Sequence, residues 1–380
     1  MMSKNSFHTS TSSQTGAMVS SSSQTGAIFS LFATLLMSAL IACSPEKRPE
    51  LEAHNGVIII NQGNFSEQNG SISYYSEITG DLQNLAFEAA NGFSLGSIVL
   101  SGWVDEQNIA YLICSNPAKI VRLEAPTAKI AAPSIVEGLA NPRNLITHNG
   151  IIYVTNWGRD ESSIDLGNWF YEYPDSYVAL YNQSTGAFIK EIYVGSDCEG
   201  LCVVNNQLFV AVKEGVKVID LTTGNLKTTI VSHTFYGAAK HLVVDYQNHV
   251  WASYPGEGVM EIDVNYAAQA RTIDVPLDYE GYITINQTRD QILTFTTLYD
   301  ENWQSIGSTI YAADIRSGTY RSLLQGEQFY SVGANPYTGT LYASEVNGFA
   351  TNSTLMVFNS DGVVTNSKVA GVATARYLFY

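Results

Sequence analysis

From residue 56 onward, apolar and polar positions repeat a four-strand phrase about every 40–50 residues. An apolar strand is followed by a polar turn, a second and a third strand, a turn that often reads Thr-Gly, and a fourth strand. The clearest copy is Arg143–Val194, with the strands RNLITHN, GIIYVTNWG, SYVALYNQSTG and AFIKEIYV. A repeat of this length with four strands predicts the blade of a β-propeller.

Further copies of the phrase run through the rest of the chain. They are Gly200–Val231, His241–Val275, Tyr282–Leu324, Ser331–Val369 and a less regular one at Ser97–Val136. A small or polar residue followed by glycine recurs before the fourth strand, at Thr79-Gly80, Thr185-Gly186, Thr223-Gly224, Ser317-Gly318 and Asp361-Gly362. Glycine supplies the positive φ that such hairpins require.

The two ends of this region complement each other. The first copy, Gly56–Leu85, lacks its opening strand, and a surplus strand of opening character, Ala375–Tyr380 (ARYLFY), follows the last copy. Pairing them completes a seventh blade and removes an exposed sheet edge. We therefore predict an all-β fold for residues 56–380: a seven-bladed β-propeller of four-stranded antiparallel blades, closed by the C-terminal strand pairing into the first blade. A β-sandwich, a β-helix, or six or eight blades are the alternatives.

The N-terminal segment has a different pattern. The apolar run Ala27–Ala42 is shorter than the roughly 20 residues of a membrane-spanning helix, and it ends in Leu40-Ile41-Ala42-Cys43, which resembles a bacterial lipobox. We interpret residues 1–42, with their low-complexity n-region, as a lipoprotein signal peptide. Cys43 is then the lipidated residue and 43–55 a polar tether. No aspartate follows Cys43 to signal retention in the inner membrane, which favours the outer membrane, and the acidic tether favours the cell surface. An uncleaved anchor is the alternative.

Composition narrows the class of protein. Only 14% of residues are charged and 23 are tyrosines, which is typical of an extracytoplasmic β protein. The net charge of −16 argues against nucleic-acid binding, because phosphate contacts need a basic face. Cys198 and Cys202 would stand about 13 Å apart on one strand, too far for a disulfide. A turn at Glu199-Gly200 could bring them together, so free thiols and a disulfide both remain open.

One family resemblance covers essentially all of the mature chain, Cys43 to Tyr380. The segments NQGNFSEQNGSISYYSEITGDL and NPRNLITHNGIIYVTNWG resemble the YncE-like seven-bladed propeller lipoproteins of the Bacteroidetes outer surface. The resemblance implies a surface protein that captures cobalamin or another scarce nutrient and passes it to a TonB-dependent transporter. Members of the group differ in ligand, so the resemblance indicates the place and the task better than the molecule.

A candidate site follows from the blade alignment. In a propeller, the loops from strand four to strand one and from strand two to strand three surround one mouth of the channel. The alignment predicts a ring at that mouth, Gly96, Arg143, Glu199, Lys240, Gly281, Tyr330 and Arg376, and a next column of Ser97, Asn144, Gly200, His241, Tyr282, Ser331 and Tyr377. The three cations suit an anionic group such as phosphate or carboxylate. Alternatively, they pair with Glu199 and plug the channel.

The loops from strand two to strand three add amide and aromatic side chains. They are Asn61, Gln62, Asn64, Phe65, Asn116, Trp157, Arg159, Lys213, Tyr254, Tyr299, Trp303, Glu345 and Phe349. One of these loops, Gly158–Asp175, is long and contains Trp169, Phe170, Tyr171 and Tyr173. A long aromatic insertion favours a binding loop for a large planar or sugar-like ligand. Alternatively, its aromatics only pack the loop onto the blade.

Signals for catalysis are weak. Gly92-Phe93-Ser94-Leu95-Gly96 matches the nucleophile-elbow pattern, but a strand follows where that motif needs a helix. No motif for a metal or a cofactor occurs, and neither is predicted. The leading hypothesis is a nutrient-binding surface lipoprotein that contacts the membrane through its lipid only. A lactonase-like hydrolase with a channel metal, or a scaffold for another surface protein, is the alternative.

The lipobox interpretation predicts the outcome of metabolic labelling. A palmitate analogue should label the wild-type protein and should not label Cys43→Ser, since Cys43 is the only proposed acylation site. Labelling of the variant at wild-type intensity would contradict this interpretation.

Overall fold

The computed structural model describes residues 56–167, 170–231, 238–262, 269–302 and 304–380. These residues form seven four-stranded antiparallel sheets, one two-stranded sheet, one short α-helix and one 3-10 helix at Asp160–Ser162. The first strands of six blades contribute residues to one shared channel, so the sheets stand radially around it. The predicted seven-bladed propeller is confirmed.

The blades are numbered from the one that contains residue 56. Blade 1 holds β1 (Gly56–Asn61), β2 (Ser71–Ser76), β3 (Leu82–Gln83) and β30 (Thr374–Phe379); blade 2 holds β4 (Val99–Val104), β5 (Ile109–Ser115), β6 (Ala118–Glu124) and β7 (Ile130–Ile135); blade 3 holds β8 (Pro142–His148), β9 (Ile151–Asn156), β12 (Ser176–Asn182) and β13 (Phe188–Gly195). Blade 4 holds β14 (Leu201–Val204), β15 (Gln207–Val212), β16 (Gly215–Asp220) and β17 (Asn225–Val231); blade 5 holds β18 (Leu242–Val244), β19 (Val250–Tyr254), β20 (Gly258–Ile262) and β21 (Gln269–Ile273). Blade 6 holds β22 (Ile283–Ile285), β23 (Gln291–Tyr299), β24 (Ser305–Asp314) and β25 (Thr319–Gly326); blade 7 holds β26 (Phe329–Ala334), β27 (Leu341–Glu345), β28 (Asn352–Phe358) and β29 (Val364–Val372).

The ring closes where the sequence predicted. Strand β30 pairs antiparallel with β1, in a register that sets Val57 opposite Phe379 and Ile59 opposite Tyr377. The order of blade 1 is therefore β30, β1, β2, β3, with the C-terminal strand at the channel. This pairing joins two segments more than 300 residues apart and covers the inner edge of β1.

The apolar core lies between the blades. Seven buried clusters occur in the described residues, and each combines side chains from two neighbouring sheets. The cluster that joins blade 7 to blade 1 contains Ile59, Tyr342 and Tyr377. Each sheet is apolar on both faces because each face packs against another sheet, which explains the dense apolar runs of the middle strands.

A buried polar group reinforces the closure. The Asn61 side chain is fully buried at the end of β1, and its Nδ2 donates to Ser73 Oγ at 2.9 Å and to Ser71 Oγ at 3.3 Å. Its Oδ1 accepts from Thr374 Oγ1 at 2.8 Å and from the Gly371 amide at 3.1 Å. One amide thus fixes β1 against β2 and against the turn that leads into β30.

The predicted turn chemistry is present in five blades. Gly80, Gly186, Gly224, Gly318 and Gly362 all have φ between 71° and 80°. Nearby side-chain carbonyls hold several of these turns. For example, Asp220 Oδ1 accepts from the backbone amides of Thr222 and Thr223 at 2.8 and 3.0 Å. An L residue at the glycine positions would be strained, so the glycines are needed to reverse the chain between strands three and four.

Three features depart from the regular repeat. After the short β3, the chain forms a helix, α1 (Ala86–Asn91), which buries Ala86 and Phe87 between blades 1 and 2. In blade 3 a two-stranded hairpin, β10 (Ile164–Gly167) and β11 (Phe170–Glu172), separates β9 from β12. In blade 2 the inner strand begins at Val99, two residues later than predicted. Among the described residues, no helix has the length and apolarity to cross a bilayer.

The closure can be tested through Asn61. Asn61→Ala should lower the free energy of unfolding by about 2–3 kcal/mol, because it leaves buried hydroxyl and amide partners unpaired. Chemical denaturation measures this, with the exposed Asn225→Ala as control.

Deletion of residues 376–380 should have a larger effect and cause unfolding or aggregation. A truncated protein with an unchanged melting curve would contradict closure by β30.

Candidate functional site

Segments from all seven blades converge at one end of the channel around a cavity of about 270 Å³, which we call the mouth cavity. Its lining includes loops from strand two to strand three, at Gln62 and Trp157, and a loop from strand four to strand one, at Asp278. The two kinds of loop therefore share this face, as predicted. The lining residues are Gln62, Leu100, Ser101, Arg143, Asn144, Trp157, Glu199, His241, Asp278, Glu280, Tyr282, Phe295, Tyr330, Ala375 and Arg376.

Two of the three predicted cations pair with a buried carboxylate. Arg143 makes a bidentate contact with Glu199, with Nε–Oε2 at 3.0 Å and Nη2–Oε1 at 3.2 Å. Lys240 Nζ lies 3.8 Å from Glu199 Oε1. Glu199 is only 3% exposed, so this charge needs partners and these cations supply them. For Arg143 and Lys240, the structure thus shows the pairing that was the alternative to ligand binding.

Arg376 differs from the other two cations. Its Nη1 donates to its own neighbour's carbonyl, Ala375 O, at 2.8 Å, and its guanidinium carbon lies 3.9 Å from the centroid of the Tyr282 ring. Within the described residues, no carboxylate comes within 4 Å of the Arg376 guanidinium. Stacking on Tyr282 orients the planar group, and Arg376 forms part of the cavity lining.

His241 stands among these cations and is kept neutral. Burial and the positive charges of Arg376, Lys240 and Arg143 lower the pKa of His241 well below 6.5. The ring packs edge-on against Tyr282 with centroids 5.1 Å apart. A neutral imidazole can both donate and accept a hydrogen bond, so His241 offers the cavity polarity without a fourth charge.

Asp278 was not among the residues singled out from the sequence. It lies on the loop between β21 and β22, and its Oδ1 accepts from the Gly281 amide at 2.9 Å. Burial and the neighbouring Glu280 charge raise the pKa of Asp278 to about 7, although Arg376 opposes the shift. Asp278 precedes Gly281, the residue that the alignment placed in the ring, so the alignment did not select it although it lines the cavity. The carboxyl changes charge near neutral pH inside the cavity, which is common at functional sites.

In blade 2 the predicted ring positions are wrong. Gly96 and Ser97 do not line the mouth cavity; Leu100 and Ser101 do. Ser97 is fully buried, and its carbonyl accepts from the Gly70 amide at 3.0 Å. This hydrogen bond fixes the stretch against the loop between β1 and β2 of blade 1. A register shift between Val99 and Ser101 follows, so the inner strand enters the channel later than its apolar pattern suggested.

The other predicted ligand residues have varied locations. Asn144, His241, Tyr282 and Trp157 line the mouth cavity together with Arg143 and Arg376. Tyr377 lies deeper in the channel, where its hydroxyl is 2.9 Å from Ser331 Oγ. Lys240 lines the neighbouring cavity described below.

Two predicted ligand residues do not reach the cavity. Asn64 organises its own loop: its Oδ1 accepts from the Ser66 amide at 2.9 Å and its Nδ2 donates to Phe349 O at 3.0 Å. Tyr254 is 1% exposed and packs in the core between blades 4 and 5. Trp169, Trp303 and Cys43 lie outside the described residues.

None of the described residues of the long insertion of blade 3 lines the mouth cavity. Its described residues Leu166 and Tyr171 instead line a separate cavity of about 440 Å³, which we call the hairpin cavity. Only Trp157, just before the insertion, reaches the mouth, where its ring lies 4.0 Å from the Arg143 guanidinium carbon and stacks on Tyr173. Two described residues of the predicted aromatic loop therefore line the hairpin cavity instead of the mouth cavity.

The structure also answers the cysteine question. Cys114, Cys198 and Cys202 are free thiols, and the Cys198 thiol donates to Asn156 O at 3.1 Å. Burial raises the pKa of both Cys114 and Cys202 to about 12, so these thiols are unreactive. Across the part of the chain that the structure describes, His, Cys, Asp and Glu side chains nowhere gather in groups of three that could hold a metal ion.

The ring of seven four-stranded sheets around a channel, with a charged cavity at one end, places the protein in the class of seven-bladed β-propellers. Residues 55–377 match the family described as a domain of unknown function, DUF5074. The chain belongs to this family. A search of curated protein sequences finds no match.

Solved structures share the fold at low sequence identity. A quinonprotein alcohol dehydrogenase-like protein from Bacteroides thetaiotaomicron is 13% identical, with a TM-score of 0.57 over 86% of this chain and 78% of that one. AztD from Citrobacter koseri is 9% identical, with a TM-score of 0.57 over 86% and 97% of the two chains. Hydrazine synthase from Kuenenia stuttgartiensis is 13% identical, with a TM-score of 0.53 over 71% and 81%. At these identities the likeness establishes the architecture alone.

The raised pKa of Asp278 predicts a pH dependence of anion binding. Deprotonation adds a negative charge to the cavity, so the affinity for sulfate should fall as pH rises from 6 to 8, by up to about tenfold or 1.4 kcal/mol. Sulfate keeps its charge over this range, and His241 stays neutral. Calorimetry should show a flat profile for Asp278→Asn and the wild-type slope for the exposed Asp274→Asn. An unchanged slope in Asp278→Asn would contradict this assignment.

Proposed function

We propose that this propeller is a binding protein, not an enzyme, and that it captures a small anionic ligand in the mouth cavity. One observation carries the proposal: Arg376 presents a guanidinium to the cavity, stacked on Tyr282, with no carboxylate of the described residues within 4 Å. A half-buried cation without a directly paired carboxylate is costly, and an anionic ligand would supply that pairing.

The neighbouring groups support the same ligand class. Glu199 offsets only one of the two positive charges of Arg143 and Lys240, so this cluster keeps a net positive charge that adds to the attraction of Arg376 for an anion. Tyr330 donates its hydroxyl to Gln62 Oε1, which leaves the Gln62 amide nitrogen as a further donor near the cavity. Arg376 and the polar Gln62 in the same lining suit a carboxylate, phosphate or sulfonate held by directed hydrogen bonds.

The cellular setting is the second part of the proposal. The lipobox at Leu40–Cys43 and the sequence resemblance favour a lipid-anchored protein on the outer surface. In that setting the ligand is a scarce nutrient, cobalamin-like or similar, which the protein passes to a TonB-dependent transporter. The propeller face with the mouth cavity would then be the face that meets the transporter.

The ligand class can be tested with an anion screen. Full-length protein is titrated with sulfate, phosphate, dicarboxylates and nucleotides, and binding is followed by thermal shift and calorimetry. Arg376→Gln should weaken every anion that binds by roughly 10- to 150-fold, the value of one charge-assisted hydrogen bond of about 1.5–3 kcal/mol. Arg321→Gln is the matched control, since Arg321 is also bonded to a backbone carbonyl but is exposed on β25.

Two results would contradict the proposal. The first is anion binding within twofold of wild type in a folded Arg376→Gln protein, which would place the site elsewhere.

The second result concerns the cellular setting. When the protein is precipitated from outer membranes of its native host, a TonB-dependent barrel should co-precipitate from wild-type cells but not from Cys43→Ser cells. Equal recovery of the barrel, or none in either, would remove the hand-off.

A further inference from the structure

The hairpin cavity lies beside the mouth cavity on the same face. Its walls come from the β10–β11 hairpin and from loops of blades 4 and 5, and they are mainly aliphatic and aromatic. The lining residues are Leu166, Tyr171, Asp197, Lys213, Ala238, Lys240, Pro255, Gly256, Leu277, Asp278 and Tyr279. A volume of about 440 Å³ falls in the range of small-molecule sites.

The apolar walls of this cavity are unusually accessible. Leu166 is 59% exposed, Tyr171 is 47% exposed and Tyr279 is 69% exposed, although all three contribute large apolar surface. Large apolar side chains that gather around one cavity, rather than scatter singly over a surface, mark a binding site. The charged groups at the edge have partners already, since Lys213 pairs with Glu172 at 2.5 Å.

The hairpin that forms one wall is held in place at its base. The Tyr173 amide donates to Asp197 Oδ1 at 2.8 Å, Glu172 pairs with Lys213 of blade 4, and Tyr173 stacks on Trp157 with centroids 5.2 Å apart. These contacts span blades 3 and 4. The wall is therefore preorganised, which reduces the entropy that a ligand must overcome on binding.

The two cavities share a boundary. Asp278 lines both of them, and Lys240, which lines the hairpin cavity, reaches Glu199 of the mouth cavity at 3.8 Å. Lys240 Nζ also lies 5.9 Å from the centroid of the Tyr279 ring. The two cavities are therefore adjacent, and Asp278 and Lys240 lie between them.

We propose that the hairpin cavity is an apolar subsite for the same ligand whose anionic group binds at Arg376. This inference rests on the proposed function and narrows it: the ligand has two parts, an anionic group and a planar or aliphatic body. The anion alone would use only the mouth cavity. The apolar body provides additional affinity through the area that it buries on Leu166, Tyr171 and Tyr279.

Three kinds of probe separate the two cavities. Methanesulfonate tests the anionic group alone, 2-naphthalenemethanol tests the apolar body alone, and 2-naphthalenesulfonate with its homologue 4-(2-naphthyl)butane-1-sulfonate tests both. Full-length protein in a non-ionic detergent is titrated by ligand-observed NMR, and detergent-only titrations are subtracted. The better of the two naphthyl sulfonates should bind at least tenfold more tightly than methanesulfonate.

Matched variants assign each contribution. Leu166→Ser with Tyr171→Ser should remove most of the naphthyl gain and leave methanesulfonate unchanged, whereas Arg376→Gln should weaken all sulfonates and leave 2-naphthalenemethanol unchanged. Leu298→Ser with Ile306→Ser is the control, because these side chains are 61% and 65% exposed on blade 6 and line neither cavity.

The outcomes distinguish failure of the subsite from failure of the proposed function. A naphthyl gain that survives the Leu166/Tyr171 variant, or that the Leu298/Ile306 control loses equally, overturns the subsite even if Arg376 still binds anions. Binding of 2-naphthalenemethanol that depends on Leu166 and Tyr171, together with sulfonate binding that does not depend on Arg376, overturns the anionic site instead.

Discussion

The antiparallel pairing of β30 with β1 is the constraint on which the structure depends. A propeller blade buries both faces against its neighbours, so an open ring would leave two sheet faces and one inner edge in water. Here the last strand fills that gap, Asn61 bonds to residues on both sides of it, and Tyr377 packs against Tyr342 of blade 7. This long-range pairing completes blade 1, whose two faces pack against blades 2 and 7.

The same closure builds the mouth cavity. Arg376 belongs to β30, so the cation without a carboxylate partner is delivered by the strand that closes the ring. Its stacking partner Tyr282 comes from blade 6, and the paired Arg143 and Glu199 come from blades 3 and 4. Folding and the assembly of the site are therefore one event: a chain that fails to close has neither a complete core nor a complete site.

The charged groups of the mouth partly offset one another, in a protein whose net charge is −16. Two cations pair with Glu199, burial and three nearby cations lower the pKa of His241, and burial and the Glu280 charge raise the pKa of Asp278 to about 7. Among the described residues, Arg376 is the cation of the mouth that has no carboxylate within 4 Å. Because Asp278 also borders the hairpin cavity, one titrating carboxyl lies between the two proposed parts of the site.

The local pattern determined a great deal on its own. Four-strand periodicity, the small-residue–glycine turns and the surplus ARYLFY strand were enough to predict blade number and closure, because propeller repeats are dictated by short-range alternation and turn chemistry. The alignment also brought Arg143, His241, Tyr282 and Arg376 to one mouth. Only the tertiary structure decided which cation has no carboxylate within 4 Å and that blade 2 lines the mouth cavity with Leu100 and Ser101. It also decided that Asp278 lines the mouth cavity and that described residues of the β10–β11 hairpin line a second cavity. Those outcomes depend on contacts between blades, on burial and on the electric field of neighbouring charges. These involve residues far apart in the sequence, so the pattern along one strand does not determine them.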